Sequence, residues 1–397
     1  MPSFTHASIA TAVSLVAAAT LYLSRRKKKQ VIYLDYNGTT PITVWREMRP
    51  YLVEHFGNPS SDHILGDEPR RAIDQARNEI CQLLGTSDPS RIWFTSCGTE
   101  ANHWAMAGAT HVVTTNVEHP AILEYLKYHN IETTYVPVQP DGRVRASDVI
   151  AAIRVGHTDL VTIQHANNET GALQPIHEIY EYCRKKSILF HTDAAQAAGK
   201  VPLLAADLVT VVGHKMGAPK GVACLYVRPG MEWNKRLLVG GGQEYGRRAG
   251  TENVASIVGF GAAARKAYEN LEHNRRHMEA MRTRLLVKLQ EGLGKDIVRA
   301  NGPANSAHRL PNTLSVGLRG CHSGKLLTAL REEVAASAGA SCHSSADVSA
   351  VLKAMNVPFE FARGTIRLSC GPHTTREDID RAAAQIIDEY QRQVRSG

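Results

Sequence analysis

From Val31 onward, apolar and polar positions follow two different periods. Short runs rich in β-branched residues recur at 91–95, 111–115, 160–163, 188–191, 208–212 and 222–227. Each is too short for a helix and reads as a strand buried on both faces. Between several of them lie stretches with helical spacing, at 68–84, 121–129 and 176–186. Strands alternating with helices predict an α/β fold with a mainly parallel sheet. Thr251 to Leu293 reads as one long helix, with Arg, Glu and His on its outer face. After Gly294 the units shorten. The pattern therefore predicts a large domain over 31–285 and a smaller C-terminal domain over 286–397, with room for the first residues of the large domain to pack on the small one.

Residues 1–30 are of another kind. Ala7 to Ser24 is 18 residues without a charge, Arg25 to Lys29 is all Arg and Lys, and no Asp or Glu occurs before residue 31. That length reaches the lower end of a spanning helix, about 17–25 residues. The basic run follows the apolar one, whereas a secretory signal places its positive charge first. A membrane anchor is expected, with the body of the chain on the cytosolic side. Modest hydrophobicity with basic flanks also suits the outer mitochondrial membrane. A soluble cytosolic or mitochondrial protein with an N-terminal extension is the alternative.

This segment changes the reading of the composition. The net charge is +8, but it falls to +3 without the five charges at 25–29. Basicity is local, which argues against a nucleic-acid binder. A 43% hydrophobic, 21% charged chain of 397 residues excludes wholesale disorder. Seven scattered Cys without a CxxC exclude a disulfide framework and a zinc site. His273 and His277 lie one helical turn apart among charges and read as a solvated face, so no metal is expected. Gly320 to Leu326 resembles a phosphate loop only superficially: its Gly–Gly spacing is one residue short, and Leu326 stands where Ser or Thr is needed.

The informative chemistry lies at strand ends, where open α/β sheets present ligands. Asp193 follows one apolar run and Lys215 another. A lysine amine can form a Schiff base with pyridoxal phosphate, and a carboxylate can keep the pyridine nitrogen protonated. Ser96-Cys-Gly98-Thr99-Glu100 follows the 91–95 strand and opens a helix, so its N–H groups and the Thr99 hydroxyl form an anion site for a phosphate. His119 follows the next strand, where an imidazole can stack on a ring and move protons.

With these residues on the page, the chain resembles the class V aminotransferase family, in its cysteine desulfurase and selenocysteine lyase branch. The matching segments are 33–41, 56–61, 94–100, 166–171, 191–196, 213–215, 240–244, 248–253, 310–313 and 366–369. The resemblance implies fold type I of the pyridoxal-phosphate enzymes and a homodimer with shared active sites. It implies Lys215 as Schiff-base lysine and Asp193 as partner of the pyridine nitrogen. His119 then stacks on the ring, Asn168 and Gln196 contact its hydroxyl, and Gly98, Thr99 and His214 hold the phosphate. Thr251 reaches the phosphate of the partner subunit, and Arg367, assisted by Asn168, binds the substrate carboxylate. Cys342, within Ala338-Gly-Ala-Ser-Cys342-His343-Ser-Ser345, becomes the nucleophile that takes sulfur or selenium as a persulfide or selenopersulfide and leaves alanine. A sulfur or selenium acceptor protein is implied in turn.

Two segments lean toward the lyase. His343 directly after Cys342, and Val357 to Arg363, are similar to selenocysteine lyases. Some positions depart from the family pattern: Val212 replaces a phosphate-binding Ser, Cys97 a small residue beside the phosphate loop, and Gly38 an Ala. The rival readings are a transaminase, which needs Lys215 and Asp193 but not Cys342, and a membrane-tethered scaffold without catalysis.

Overall fold

The computed structural model describes residues 31–338 and 348–395. The expected anchor at 7–24 and the expected nucleophile Cys342, with His343, lie outside the described residues. Among the described residues, no helix is long and apolar enough to cross a membrane.

The strands in chain order are β1 (Ile32–Tyr33), β2 (Ile92–Thr95), β3 (His111–Thr115), β4 (Glu132–Val136), β5 (Leu160–Thr162), β6 (Leu189–Asp193), β7 (Leu208–Val212) and β8 (Ala223–Val227), followed by β9 (Val298–Asn301), β10 (Thr313–Leu318), β11 (Val334–Ala335), β12 (Ser337–Ala338) and β13 (Thr365–Ser369). The longer helices are α1 (Ile64–Leu84), α2 (Gly98–Met106), α3 (Pro120–Tyr128), α4 (Ile176–Lys185), α5 (Val254–Glu269), α6 (Leu271–Leu293) and α7 (Arg376–Arg395).

Seven strands form the main sheet in the order β2-β8-β7-β6-β5-β3-β4. β3, β4, β5, β6 and β7 are parallel, while β8 runs antiparallel to both of its neighbours. This is the mainly parallel α/β sheet that the alternation predicts, and all six expected strands are in it. The run Leu208–Val212 is fully buried. Successive side chains in such a strand point to opposite faces, so both faces need apolar cover. One face packs under α1, α4 and α5, with Ile80, Phe94, Phe190, Val211 and Phe260 in its core. The other face packs under α2, with Trp93, Trp104 and Leu225. Gly261 lets α5 approach α1 closely: a Cβ there would stand 2.6 Å from the Ala76 Cα.

The expected single helix over 251–293 is two helices. Asn253 caps the first by accepting from Ser256 N at 3.3 Å, and Asn270, at φ −109° and ψ 12°, ends one helix and begins the next. Helical spacing continues through the break, which is why periodicity alone does not reveal it. The break lets α5 stay on the large sheet while α6 turns to a second core. That core holds Met278, Met281, Leu285 and Leu289 of α6, Ile379 and Ile386 of α7, and the inner face of a second sheet, ordered β12-β13-β10-β9. The chain start joins it, since Ile32 and Leu34 belong to the same core and β1 pairs with β11.

A buried ion pair ties the Gly-rich stretch after residue 240 to the edge of the main sheet. Arg77 Nη2 donates to Glu244 Oε1 at 2.8 Å, and Glu244 Oε2 accepts from Phe94 N at 3.0 Å. Glu244 and Tyr245 have φ of 49° and 58°, a region that side chains rarely adopt. Breaking a buried pair of this kind costs about 3–5 kcal/mol, because one charge stays buried alone. The pair thus pins the strained turn that leads to Thr251.

Candidate active site

The parallel strands all end on one side, and their following loops line a cavity of about 410 Å³. β2 contributes Gly98 and Thr99, β3 His119, β5 Asn168, β6 Asp193 and Gln196, and β7 His214 and Lys215. Arg367, on β13 of the second sheet, closes the far side. Nine of the expected site residues therefore meet in one place. Thr251 does not line this cavity and stands exposed.

Asp193 is 8% exposed and fixed on both oxygens. Asn102 Nδ2 donates to one at 2.8 Å and Ala195 N to the other at 2.9 Å. Asn102 lies on α2, on the turn after Gly98 and Thr99, so one helix serves both ends of the cavity. Its role was not legible in the sequence, where it reads as an ordinary helix residue.

Lys215 Nζ donates to the carbonyls of Asn37 and Gly38, at 2.6 and 2.8 Å. Burial pushes its amine down to about 8; the Arg367 charge adds to this, while Asp193 and Asp35 oppose it. A lysine so placed is partly neutral near physiological pH, and the neutral amine is the nucleophile a Schiff base needs. Gln196 Nε2 donates to the same Asn37 carbonyl at 3.0 Å, while its Oε1 is buried and unpartnered.

His119 caps α3: its Nδ1 accepts from Ala121 N at 3.1 Å. Desolvation lowers its pKa despite the Asp193 charge, so the ring is neutral and its proton sits on Nε2. The neighbouring Glu118 is buried and its carboxyl is pushed up to about 8 by desolvation. It accepts from Thr115 Oγ1 and Gln164 N, at 2.7 and 2.9 Å, and so joins the ends of β3 and β5. His214 Nδ1 lies 3.1 Å from Thr39 Oγ1, and burial drops its pKa to about 4.

Arg367 Nη2 donates to Asp35 Oδ1 at 2.7 Å and to Ser337 Oγ at 3.0 Å, and Nη1 donates to the Asn168 carbonyl at 3.2 Å. Its Nε is buried without a partner. Asn168 thus meets Arg367 through its backbone carbonyl, which fixes the guanidinium. Asp35 and Asn37 are site residues that sequence reasoning missed, although both fall in the matching segment 33–41.

Pyridoxal phosphate fits this set of groups. At Gly98 a Cβ would come within 2.7 Å of Val212 Cγ2, so only Gly keeps the helix start open beside the cavity. The open helix start suits a phosphate, the anchored Asp193 suits a pyridine nitrogen, and the orphan Gln196 oxygen suits a ring hydroxyl. Val212 presents no hydroxyl, so any phosphate there relies on the helix N–H groups and Thr99.

Comparisons with known proteins agree with this chemistry. The Aminotransferase class-V family model matches residues 32–382. A protein named cysteine desulfurase IscS from Clostridium botulinum is 39% identical over 368 residues, covering 88% of this chain and 91% of that protein. One named cysteine desulfurase NifS from Azotobacter vinelandii is 39% identical over 373 residues, covering 89% and 91%. Among solved structures, a NifS-like protein superposes with a TM-score of 0.82 at 34% identity, covering 90% of this chain and 99% of that one. A structure titled SspA in complex with cysteine gives a TM-score of 0.73 at 31% identity, covering 86% and 99%.

The electrostatics make a prediction for the cofactor-free protein. Lys215 should gain reactivity toward trinitrobenzenesulfonate as pH rises through about 8. Arg367→Met removes a charge that lowers this pKa and should move the profile to higher pH. Asp193→Asn removes one that raises it and should move the profile to lower pH. Peptide mass spectrometry of labelled Lys215 reads the result; three superimposable profiles would contradict the assignment.

Proposed function

Because the chain belongs to the class-V aminotransferase family, and within it to the cysteine desulfurases, we propose that its cavity removes sulfur from L-cysteine with Lys215, Asp193, His119, Arg367 and Cys342 as the working residues. The enzyme is pyridoxal-phosphate dependent. The observation that carries the reading is the convergence of a fixed Asp193 and a carbonyl-held Lys215 in one cavity faced by Arg367.

When bound, pyridoxal phosphate supplies a Schiff-base carbonyl and an electron sink for bonds at the substrate Cα. Gly98, Thr99 and His214 would hold its phosphate, Asp193 a proton at its pyridine nitrogen, and Asn168 and Gln196 its hydroxyl. His119 would lie on the ring face. Arg367 offers an unpartnered Nε, and a substrate carboxylate would satisfy it by displacing Asp35 from the guanidinium. Lys215, with its pKa near neutrality, accepts and returns a proton at the substrate carbon. The Cys342 thiolate attacks the substrate sulfur: a sulfur–sulfur bond forms and the sulfur–Cβ bond breaks. Cβ then takes a proton, which leaves alanine and a Cys342 persulfide. Ser337 supports this role, since its hydroxyl touches Arg367 and Cys342 follows five residues later. At about 3.5 Å per residue, Cys342 has no more than about 18 Å of reach from that contact. The persulfide sulfur would pass to an acceptor thiol.

Holoenzyme supplied with L-cysteine should release one alanine per sulfur transferred, and Cys342→Ala should reduce the rate at least a hundredfold while retaining the bound cofactor. L-Selenocysteine, assayed beside it, tests the second reading that His343 favours. Alanine from selenocysteine alone would replace desulfuration by selenium removal, and a keto acid in place of alanine would establish the transaminase.

The apolar surface over 42–65 supports a homodimer. Trp45, Leu52, Val53, Phe56, Ile64 and Leu65 all stand more than half exposed. A partner covering them would also give exposed Thr251 a phosphate to bind. Phe56→Glu combined with Ile64→Glu should halve the mass measured by light scattering and weaken cofactor retention. A wild-type protein that is monomeric at micromolar concentration would refute this.

The apolar run at 7–24 with its basic flank supports a membrane tether, with the catalytic body in the cytosol. Full-length protein should remain with membranes after carbonate extraction, and deletion of 1–30 should release it. A full-length chain extracted by carbonate would overturn the tether.

A further inference from the structure

Lys215 lines a second cavity, of about 500 Å³, which shares no other residue with the first. It lies between the two cores: Ala198 and Ala267 belong to the large one, and Met278 and Cys370 to the small one. Its lining is rich in basic residues. Lys200, Lys215, Lys266, His273 and His373 contribute, and among the described lining residues there is no Asp or Glu.

Lys266 has a partner outside the cavity, Glu47, at 2.8 Å. Lys200 does not. It is 4% exposed, donates to the Gln196 carbonyl at 2.9 Å, and makes no ion pair among the described residues. An ammonium has three donors, and here one carbonyl serves it. Burial, reinforced by the Lys215 and Arg367 charges, pushes its pKa down to about 7. A buried cation in that state favours an anion that can enter beside it. The rest of the wall mixes apolar residues, among them Met216, Ala267, Met278 and Pro372, with the amides of Asn270 and Asn274 and the hydroxyls of Tyr36, Thr40 and Thr43. The volume falls within the range of small-molecule sites, about 300–1,000 Å³.

We propose that this cavity is a second ligand site, adjoining the cofactor cavity at Lys215, that takes a small organic carboxylate with a short apolar tail. The carboxylate pairs with Lys200 Nζ, and the tail lies against Ala267 and Met278. The site rests on charge and shape alone and is independent of which substrate the enzyme turns over.

The test is calorimetric titration of the holoenzyme with 4-methylpentanoate. Wild-type protein should bind it saturably, one per chain. Lys200→Met, which keeps the side-chain volume, should weaken binding about tenfold or more, as loss of a charge-assisted hydrogen bond requires. Ala267→Leu narrows the cavity without touching Lys200 and should weaken binding as well, which keeps the proposal testable if the lysine variant fails to fold. Arg367→Ala should not weaken the affinity, because removing that charge favours the Lys200 cation. The proposal fails if wild-type protein shows no saturable binding. It also fails if Arg367→Ala abolishes binding while Lys200→Met and Ala267→Leu do not, because the carboxylate then sits in the substrate site.

Discussion

The backbone carbonyl of Asn37 accepts from both Lys215 Nζ and Gln196 Nε2. Around it the same residue is held on every side. Its N–H donates to Ser369 Oγ, its Nδ2 to Thr313 Oγ1, and its Oδ1 accepts from Asn312. Asn37 is 1% exposed, so each of these groups needs its partner. One short segment thereby links the large sheet, which carries Lys215, to the small one, which carries Arg367. If Asn37 moved, the lysine and the glutamine would lose their common reference.

The charges in the cavity are balanced against one another. Arg367 lowers the Lys215 pKa while Asp193 and Asp35 raise it, and desolvation sets the overall direction. Asp35 belongs to both accounts, because it also holds the Arg367 guanidinium at 2.7 Å. A substrate carboxylate arriving at Arg367 would therefore change the field at the lysine as it binds. On the proposed roles, recognition at Arg367 and proton transfer at Lys215 would be coupled through the same guanidinium.

What the sequence discloses follows from where burial acts. The strands of the large sheet are legible because they are apolar on both faces, and Gly98, Thr99, His119, Asp193 and Lys215 are legible because each follows such a strand. β4 escapes notice: it is an edge strand whose first residues, Glu132 to Tyr135, are exposed or half-buried. The break at Asn270 escapes because helical spacing runs through it. Asn102 looks like a surface residue until the fold turns α2 toward Asp193. Asp35 and Asn37 are the hardest case, since their partners around the second sheet lie more than 270 residues away and no local pattern announces them. Cys342 is expected from family resemblance alone, since a thiol among small residues carries no local signal of its own.

The Asp35–Arg367 contact spans 332 positions of the chain, as does the bond from Asn37 N to Ser369. On the ribosome the residues that line the cofactor cavity from 97 to 215 emerge well before either partner does. The large sheet can thus be complete while β1 still lacks β11 beside it. The seam closes only when β13 arrives, near the end of synthesis. β13 is therefore also a check on completeness: a chain cut short before residue 367 would leave Asp35 and Asn37, near the start of the described residues, without their β13 partners, and not merely lack its last helix.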